Sequence, residues 1–198
     1  MGFEFEYIRG QTPIDEDEKD GLKIKTISTR GELDEFEQIN IETALKWLLG
    51  KKFSAEEILS TWFIQELHKH MFSQVWEWAG TFRNTNKNIG VDKYLIEQQL
   101  KMLNDDCKYW MVNNTYSNDE IAIRYKYRLV SIHPFPNGNG RHSRLSANIL
   151  IVHGFNRQVF SWGGKNLVKS IDNRSRYIDA LHQADQGNLD PLIIFARS

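Results

Sequence analysis

Residues 133–144 read HPFPNGNGRHSR, and this stretch decides how the chain around it can fold. Pro134 disfavours helical backbone at the residue before it, so a helix that arrives from the N-terminal side ends near His133. The segment RHSRLSANILIVH, which follows the glycines, has a helical pattern of apolar residues. A second helix is therefore predicted to begin near Gly138 to Gly140, with the histidine at the other end of the loop.

The start of this second helix has the composition of an anion site. The first turn of a helix leaves backbone N–H groups unpaired and carries partial positive charge, and glycines let a ligand approach the backbone closely. Arg141 and Arg144 are i, i+3 neighbours, so both guanidinium groups can reach the same anion. The stretch therefore predicts a polyphosphate site with the imidazole of His133 beside it. Asn137 adds an oxygen that could bind a metal ion such as Mg²⁺.

A plain structural explanation also fits part of this stretch. A glycine-rich turn between two helices, with arginines that pair with nearby carboxylates, would account for Gly-Asn-Gly alone. Two other phosphate-binding motifs are excluded, because no Gly-Lys-Ser/Thr follows as in a Walker A loop and the third glycine of a dinucleotide fingerprint is missing. The register of the whole stretch favours a functional site through these residues: His133, Pro134, Phe135, Arg141 and Arg144.

The rest of the chain predicts an all-α helical bundle that carries one small β-hairpin. Ser54 and Ser117 are each followed three residues later by Glu, a pattern that is typical of capping boxes at helix starts. The segment GTFRNTNKNIGVDKY from Gly80 is rich in Asn and Gly and predicts the hairpin. We expect an irregular arm over residues 1–30 and a single domain over residues 31–198.

Composition favours a soluble globular protein. The 198 residues carry a formal net charge of −1, which gives no support to general nucleic-acid binding. The longest aliphatic stretch, Ala147–Val152, is too short to span a bilayer, and acidic residues stand where a signal peptide would have positive charge. A single cysteine excludes a disulfide framework. We expect a cytoplasmic protein without a nucleic-acid or membrane partner.

The stretch from His133 to Arg144 resembles the signature of the Fic family (Fic/Doc, or fido, fold), His-Pro-Phe-x-x-Gly-Asn-Gly-Arg-x-x-Arg. GTFR at Gly80 to Arg83 resembles the segment before the family's target-docking hairpin, and RYIDALHQADQGNLDPLIIF at Arg176 to Phe195 resembles its closing helices. The resemblance covers roughly residues 55–198. The whole chain, including ELDEFEQINI at Glu32 to Ile41, resembles the Fic subgroup labelled mobile mystery protein B.

This resemblance implies an all-α Fic fold and an adenylyltransferase that moves AMP from ATP to a Ser, Thr or Tyr hydroxyl of a target protein. His133 would be the general base that deprotonates the target, a role suited to an imidazole near neutral pH. Tyr177 on the penultimate helix would border the adenine. The remaining motif residues would bind the phosphates: Gly138, Asn139 and Gly140 at the anion hole, Arg141 and Arg144 at the outer phosphates.

The resemblance also implies a metal ion and a docking hairpin. Mg²⁺ would accompany ATP, but the family's metal position is commonly Asp or Glu, whereas this chain has Asn137. An amide oxygen adds no charge, so we expect weaker metal binding there. The predicted hairpin would act as a flap that holds the target's backbone by strand addition, through the residues Lys87, Asn88, Ile89 and Gly90.

Inhibition can be read from the sequence only as a hypothesis. Many Fic proteins are held inactive by a glutamate that pairs with the second arginine of the motif. Here Glu37, or less well Glu32, could clamp Arg144, although neither has the full surrounding pattern of that inhibitory helix. An antitoxin-like partner protein is the alternative.

Two other functions stay open. The first is a Doc-like protein kinase, which uses the same scaffold with the substrate turned around. Gly140 and Arg141 argue against it, because Doc-type motifs usually have Ala and Lys in this stretch. The second is a catalytically silent nucleotide-binding regulator, and Asn137 at the metal position favours it.

Overall fold

The computed structural model describes residues 19–164 and 170–198, and the all-α prediction is confirmed over these ranges. The described residues also form a 3-10 turn (Lys93–Leu95) and a π-helical turn (Leu150–Gly154). None of the described helices is both long and apolar enough to cross a membrane. Most of the arm predicted over residues 1–30 lies outside the described residues. The helices are α1 (Arg30–Leu48), α2 (Ala55–Ile58), α3 (Thr61–Phe72), α4 (Ile96–Asn113), α5 (Asn118–Ile132), α6 (Asn139–Ile149), α7 (Ser170–Asp185) and α8 (Asp190–Arg197).

Side-chain caps set the helix starts in the first half of the chain. Thr29 and Ser54 each form a complete capping box with the glutamate three residues later, which satisfies N–H groups that a helix start leaves unpaired. The helix that begins after Ser54 is short, because Leu59 leaves helical backbone and Ser60 caps a new helix, α3. A second serine in a capping position therefore separates α2 from α3.

The core lies between α1, α3, α5 and α6. α1 packs on α3, α4 packs on α5, and α5 packs on α6. Trp76, Tyr125, Phe63 and Phe72 are among the largest fully buried side chains, and burying an aromatic ring of this kind contributes on the order of 2 kcal/mol. The loop that joins α5 to α6 carries the motif, so both of its ends are fixed by this packing.

The predicted hairpin is replaced by a loop, residues 81–92. The described residues contain no β-strand, and their single isolated bridge joins Leu22 to Trp76. The arms of the 81–92 loop bond to the end of α5 instead: the Arg83 amide donates to the Pro134 carbonyl at 2.9 Å, and the Val91 amide donates to the Ile132 carbonyl at 3.2 Å. Residues 132 and 134 thus supply the backbone acceptors that the second strand of a hairpin would have supplied.

Candidate active site

His133 ends α5 in a left-handed backbone conformation, with φ of 55°. Its Nδ1 lies 3.3 Å from the Val130 carbonyl oxygen, and since a carbonyl only accepts, this contact places the proton on Nδ1 and the basic lone pair on Nε2. Burial lowers the pKa of His133 to about 4, and the charges of Arg83 and Lys87 act in the same direction. The imidazole is therefore neutral at pH 7 and able to accept a proton.

The side chain of Asn139 closes the loop of residues 133–138 between α5 and α6, which we call the motif loop. Its Oδ1 accepts the Phe135 amide at 3.0 Å, and its Nδ2 donates to the Phe135 carbonyl at 2.8 Å. Phe135 is fully buried and anchors the loop in the core. The side chain of Asn139 is committed to the loop, so only its backbone amide can serve the predicted anion hole.

His68 on α3 ties the same loop to the core, and the sequence reasoning missed this residue. Its ring stacks on Phe135 with centroids 3.7 Å apart. Nδ1 accepts the Gly80 amide at 3.0 Å, which leaves the proton on Nε2 to be donated to the Asn137 carbonyl at 3.0 Å. Burial holds the pKa of His68 well below its usual value, so the ring stays neutral and both bonds persist. The only signal in the sequence is a histidine on the apolar face of a helix.

Asn137 uses its side-chain oxygen inside the loop. Oδ1 accepts the Gly138 amide at 2.5 Å, and Nδ2 is buried with no hydrogen-bond partner among the described residues. Within that part of the chain, no group of three or more His, Cys, Asp or Glu side chains could hold a metal ion. The Gly138 amide is therefore withdrawn from the predicted anion hole, and the Asn137 oxygen keeps one lone pair that a metal ion could use.

The start of α6 offers backbone amides to a ligand. Gly138 stands at the N-cap with φ of 78°, and no side chain caps the helix. A Cβ at Gly138 would lie 2.6 Å from the ring of Phe72, so the close packing of the loop on α3 requires glycine here. The His142 amide donates to the Gly138 carbonyl at 2.9 Å, whereas the amides before it have no acceptor four residues back inside the helix.

Arg141 is bound by a buried carboxylate of α1. Its Nη2 donates to Oε2 of Glu37 at 2.7 Å, and Nε1 of Trp76 donates to Oε1 of the same carboxylate at 2.7 Å. Glu37 is only 1% exposed. The predicted clamp on Arg144 is thus corrected, because both oxygens of Glu37 serve other partners and the arginine that it contacts is the first one of the motif.

Glu32 is corrected as an inhibitory candidate. Its Oε2 accepts the amides of Ser28 and Thr29 at 2.7 and 3.0 Å, which completes the capping box of α1. These backbone hydrogen bonds lower the pKa of Glu32. The carboxylate therefore serves the start of its own helix rather than a motif arginine.

Arg144 lies against Tyr177 of α7. Its guanidinium carbon is 5.3 Å from the ring centre, and Nζ of Lys126 on α5 is 4.5 Å from the same centre. Burial lowers the pKa of Arg144, but a guanidinium keeps its charge in proteins. The ring of Tyr177 thus brings α5, α6 and α7 together at the arginine predicted to bind the outer phosphates.

The 81–92 loop covers His133. Gly90 has φ of 99°, and a Cβ there would lie 2.7 Å from Cβ of His133. The buried side chain of Arg83 donates from Nε to the His133 carbonyl at 2.7 Å, and from its other nitrogens to the carbonyls of Thr85 and Val91. Sequence reasoning included Arg83 only in the GTFR segment and did not predict this role.

One open cleft of about 1060 Å³ brings most of the predicted site residues together. Small-molecule sites have volumes of about 300–1,000 Å³, so the cleft is large enough for a nucleotide. Lys87, Glu37 and Glu32 do not line it, although Lys87 belongs to the 81–92 loop. The predicted residues that do line it are His133, Asn137, Gly138, Asn139, Gly140, Arg141, Arg144, Tyr177, Asn88, Ile89 and Gly90.

The family profile of the Fic/DOC family matches residues 58–151. Residues 58–151 form a Fic/DOC domain. This segment runs from the end of α2 into the π-helical turn and includes His133, the motif loop and the 81–92 loop. α1, α7 and α8 lie outside the matched Fic/DOC domain, yet residues of α1 and α7 line the cleft.

The Fic/DOC domain and its flanks are similar to curated proteins. The chain is 29% identical over 169 residues to the protein adenylyltransferase fic-1 of Caenorhabditis briggsae, which covers 79% of this chain and 30% of that protein. It is 26% identical over 173 residues to the protein adenylyltransferase Fic of Nematostella vectensis, with 82% and 37% covered. The chain spans about a third of the length of these curated relatives.

Solved structures share the fold of the Fic/DOC domain. Fic-1 of C. elegans, residues 134–508 with E274G, superposes with a TM-score of 0.64 at 26% identity, over 90% of this chain and 51% of that one. BepC of Bartonella tribocorum, solved with bound AMPPNP, superposes with a TM-score of 0.67 at 18% identity, over 92% and 97%. The all-α fold of this chain is thus that of known Fic structures.

Proposed function

We propose that this chain transfers AMP from MgATP to a Ser, Thr or Tyr hydroxyl of a target protein. The observation that carries the proposal is a neutral His133 in the same cleft as the uncapped start of α6 and two arginines. Helix N-termini and guanidinium groups favour anions, so this end of the cleft fits the phosphates of ATP. The curated adenylyltransferases to which the chain is similar support the same reaction.

In the proposed reaction, Nε2 of His133 takes the proton of the target hydroxyl while the hydroxyl oxygen attacks the α-phosphorus of ATP. A new phosphorus–oxygen bond forms to the target, the bond from the α-phosphorus to the bridging oxygen breaks, and pyrophosphate leaves with that electron pair. Arg141 and Arg144 stabilise the charge that develops on the phosphates. Arg141 can do so only if it leaves or shares its contact with Glu37.

Mg²⁺ would enter the cleft as part of its substrate, MgATP. The side-chain oxygen at the position where the family commonly binds the metal is Oδ1 of Asn137, and that atom accepts the Gly138 amide. Magnesium usually binds through one or two carboxylates plus substrate phosphates. We therefore propose weak contact between the ion and Asn137, with the phosphates as its main ligands.

The target would dock on the 81–92 loop at the mouth of the cleft. Asn88, Ile89 and Gly90 are exposed and line the cleft, and Ile89 is 47% exposed. An extended target segment could add its backbone to this loop, which would bring a hydroxyl next to His133. Lys87, beside them in the chain, would contact the target outside the cleft.

Three finer assignments belong to the same proposal. ELDEFEQINI at Glu32 to Ile41 supports membership of the mobile mystery protein B subgroup. The contact between Glu37 and Arg141 supports inhibition from within the chain. An antitoxin-like regulator is the alternative means of control, and a cytoplasmic location fits a chain with one cysteine.

A silent nucleotide-binding regulator is the second candidate function. The observation that favours it is the engagement of Asn137 with Gly138, because a weak magnesium contact would slow transfer without abolishing nucleotide binding. The Doc-like kinase is the third, and it differs from the proposed enzyme in the group that it would transfer.

Intact-protein mass spectrometry after incubation with ATP and magnesium, alone and in cell lysate, tests these functions. We expect an AMP adduct with the wild-type chain and none with His133→Ala, while ATP binding persists in the variant. His70→Ala is the matched control, because His70 is a partly exposed histidine outside the cleft lining. A phosphate adduct would instead support the kinase, and ATP binding without any adduct would support the silent regulator.

A further inference from the structure

Two arginines outside the motif line the same cleft as Arg141 and Arg144. Arg30 is the first residue of α1, and Arg174 lies on α7. Both lie outside residues 58–151, the segment that matches the Fic/DOC family. The cleft is thus extended at its phosphate end by side chains from helices on either side of the family domain.

The two arginines are close enough to the motif to interact with it. The Arg30 side chain is 14% exposed, and its Nη2 is 2.9 Å from Oδ1 of Asp34, one turn later on α1. Burial holds the pKa of Arg174 below its usual value, and the charges of Arg144, Arg30 and Arg141 act in the same direction while Asp34 opposes them. The guanidinium of Arg174 is therefore within electrostatic range of the other three arginines that line the cleft.

The charge of this cluster calls for an anion. Among the described residues, the four guanidinium groups line one cleft together with the carboxylates of Asp34 and Asp185, and Glu37 contacts Arg141 from outside the cleft lining. Like charges held together at partly buried positions repel each other, and the repulsion is relieved when an anion binds. A terminal phosphate carries about two negative charges at pH 7, so it can bind more than one guanidinium group at the same time.

We propose that Arg30 and Arg174 bind the terminal phosphate of a nucleoside triphosphate, and then the released pyrophosphate, so that the cleft selects triphosphates over mono- and diphosphates. The identity of the nucleotide rests on the proposed function, whereas the selection by phosphate number does not. Arginine suits this role because its planar fork binds phosphate oxygens in pairs. α1 and α7 thereby set the length of polyphosphate that the motif arginines receive.

Isothermal titration of the whole chain with ATP, ADP, AMP and inorganic pyrophosphate, near physiological salt, tests this assignment. We expect Arg30→Gln and Arg174→Gln each to weaken ATP and pyrophosphate binding by about tenfold, since a hydrogen bond to a charged group contributes enough free energy for that factor. AMP binding should change little. Arg124→Gln is the matched control, because Arg124 pairs with Glu120 outside the cleft lining.

Each outcome decides between these assignments. Equal losses for AMP and ATP, no loss in either variant, or a wild-type chain that does not bind pyrophosphate would overturn the role of Arg30 and Arg174. Circular dichroism melts of the variants separate a lost contact from a lost fold. If the chain transfers no AMP but still prefers ATP through these arginines, the proposed function fails while this inference stands.

Discussion

Gly90 sets how closely the 81–92 loop covers His133. Its backbone is in the left-handed half of conformational space, and the space that a side chain would need is filled by the histidine. The site therefore depends on the absence of a side chain as much as on the imidazole. Any larger residue at this position has to push the loop and the base apart.

The Gly90→Ala variant should move the 81–92 loop away from His133. We expect the rate of AMP labelling to fall by about a hundredfold, because displacement of a catalytic group by about 1 Å can cost that much. Gly187→Ala is the matched control: Gly187 has φ of 91°, but a Cβ there has nothing within 4 Å. Both variants bear the cost of about 1 kcal/mol for an alanine in this conformation, so equal losses of activity would contradict the steric explanation.

α1 docks on the Fic/DOC domain through polar contacts. Besides the bonds of Glu37, Nδ2 of Asn40 donates to the His70 carbonyl at 3.0 Å, and Oδ1 of Asn40 accepts the Gln74 amide at 2.9 Å. Buried polar pairs of this kind specify one docked position of a helix, because any other position leaves them unsatisfied. The position of α1 therefore also fixes the carboxylate of Glu37 against Arg141.

The Glu37→Gln variant tests whether Glu37 blocks Arg141 or only holds α1 in place. Glutamine keeps an oxygen for the indole N–H of Trp76 but removes the charge that binds Arg141. We expect ATP affinity and labelling rate to rise by about tenfold, the factor for one regained hydrogen bond to a charged group, with a similar melting temperature. Glu37→Leu, which removes both contacts, should in contrast melt at a lower temperature. A slower Glu37→Gln variant would mean that Glu37 positions Arg141 instead of blocking it.

The sequence predicted those parts of the site that depend on neighbouring residues in the chain. The end of α5 at His133 follows from Pro134, and the start of α6 follows from the glycines beside it. The partner of Glu37 could not be predicted, because Arg141 lies 104 residues further along the chain. The prediction of a hairpin was wrong for a related reason. The Asn- and Gly-rich composition indicates a turn, but the backbone partners of the loop are Ile132 and Pro134, which lie about 40 to 50 residues further along the chain.

The whole molecule contains three buried histidines that are kept neutral. Burial lowers the pKa of His133 and of His142 to about 4, and it holds that of His68 well below the usual value. In the unfolded chain these groups titrate near pH 6.5. Between about pH 6.5 and 4, protons therefore bind to these histidines in the unfolded state but not in the folded state. The free energy of unfolding consequently falls as the pH falls.

Urea unfolding at pH 7 and pH 5 measures this effect. His142→Gln should lose less stability than the wild-type chain over that interval, since one histidine of this kind contributes about 2 kcal/mol of pH dependence between pH 7 and pH 5. His182→Gln is the control, because His182 is exposed, and it should follow the wild-type curve. If His142→Gln loses as much stability between pH 7 and pH 5 as the wild-type chain does, the buried histidines do not cause the acid sensitivity.

The guanidinium of Arg83 joins three carbonyls, those of His133, Thr85 and Val91. Under the proposed function, a target that displaces the 81–92 loop would also displace the backbone of His133, because both are bonded to one rigid, planar group. Docking would then be coupled to the position of the histidine. A target that fits the loop poorly would misalign the histidine even where its hydroxyl reaches the cleft.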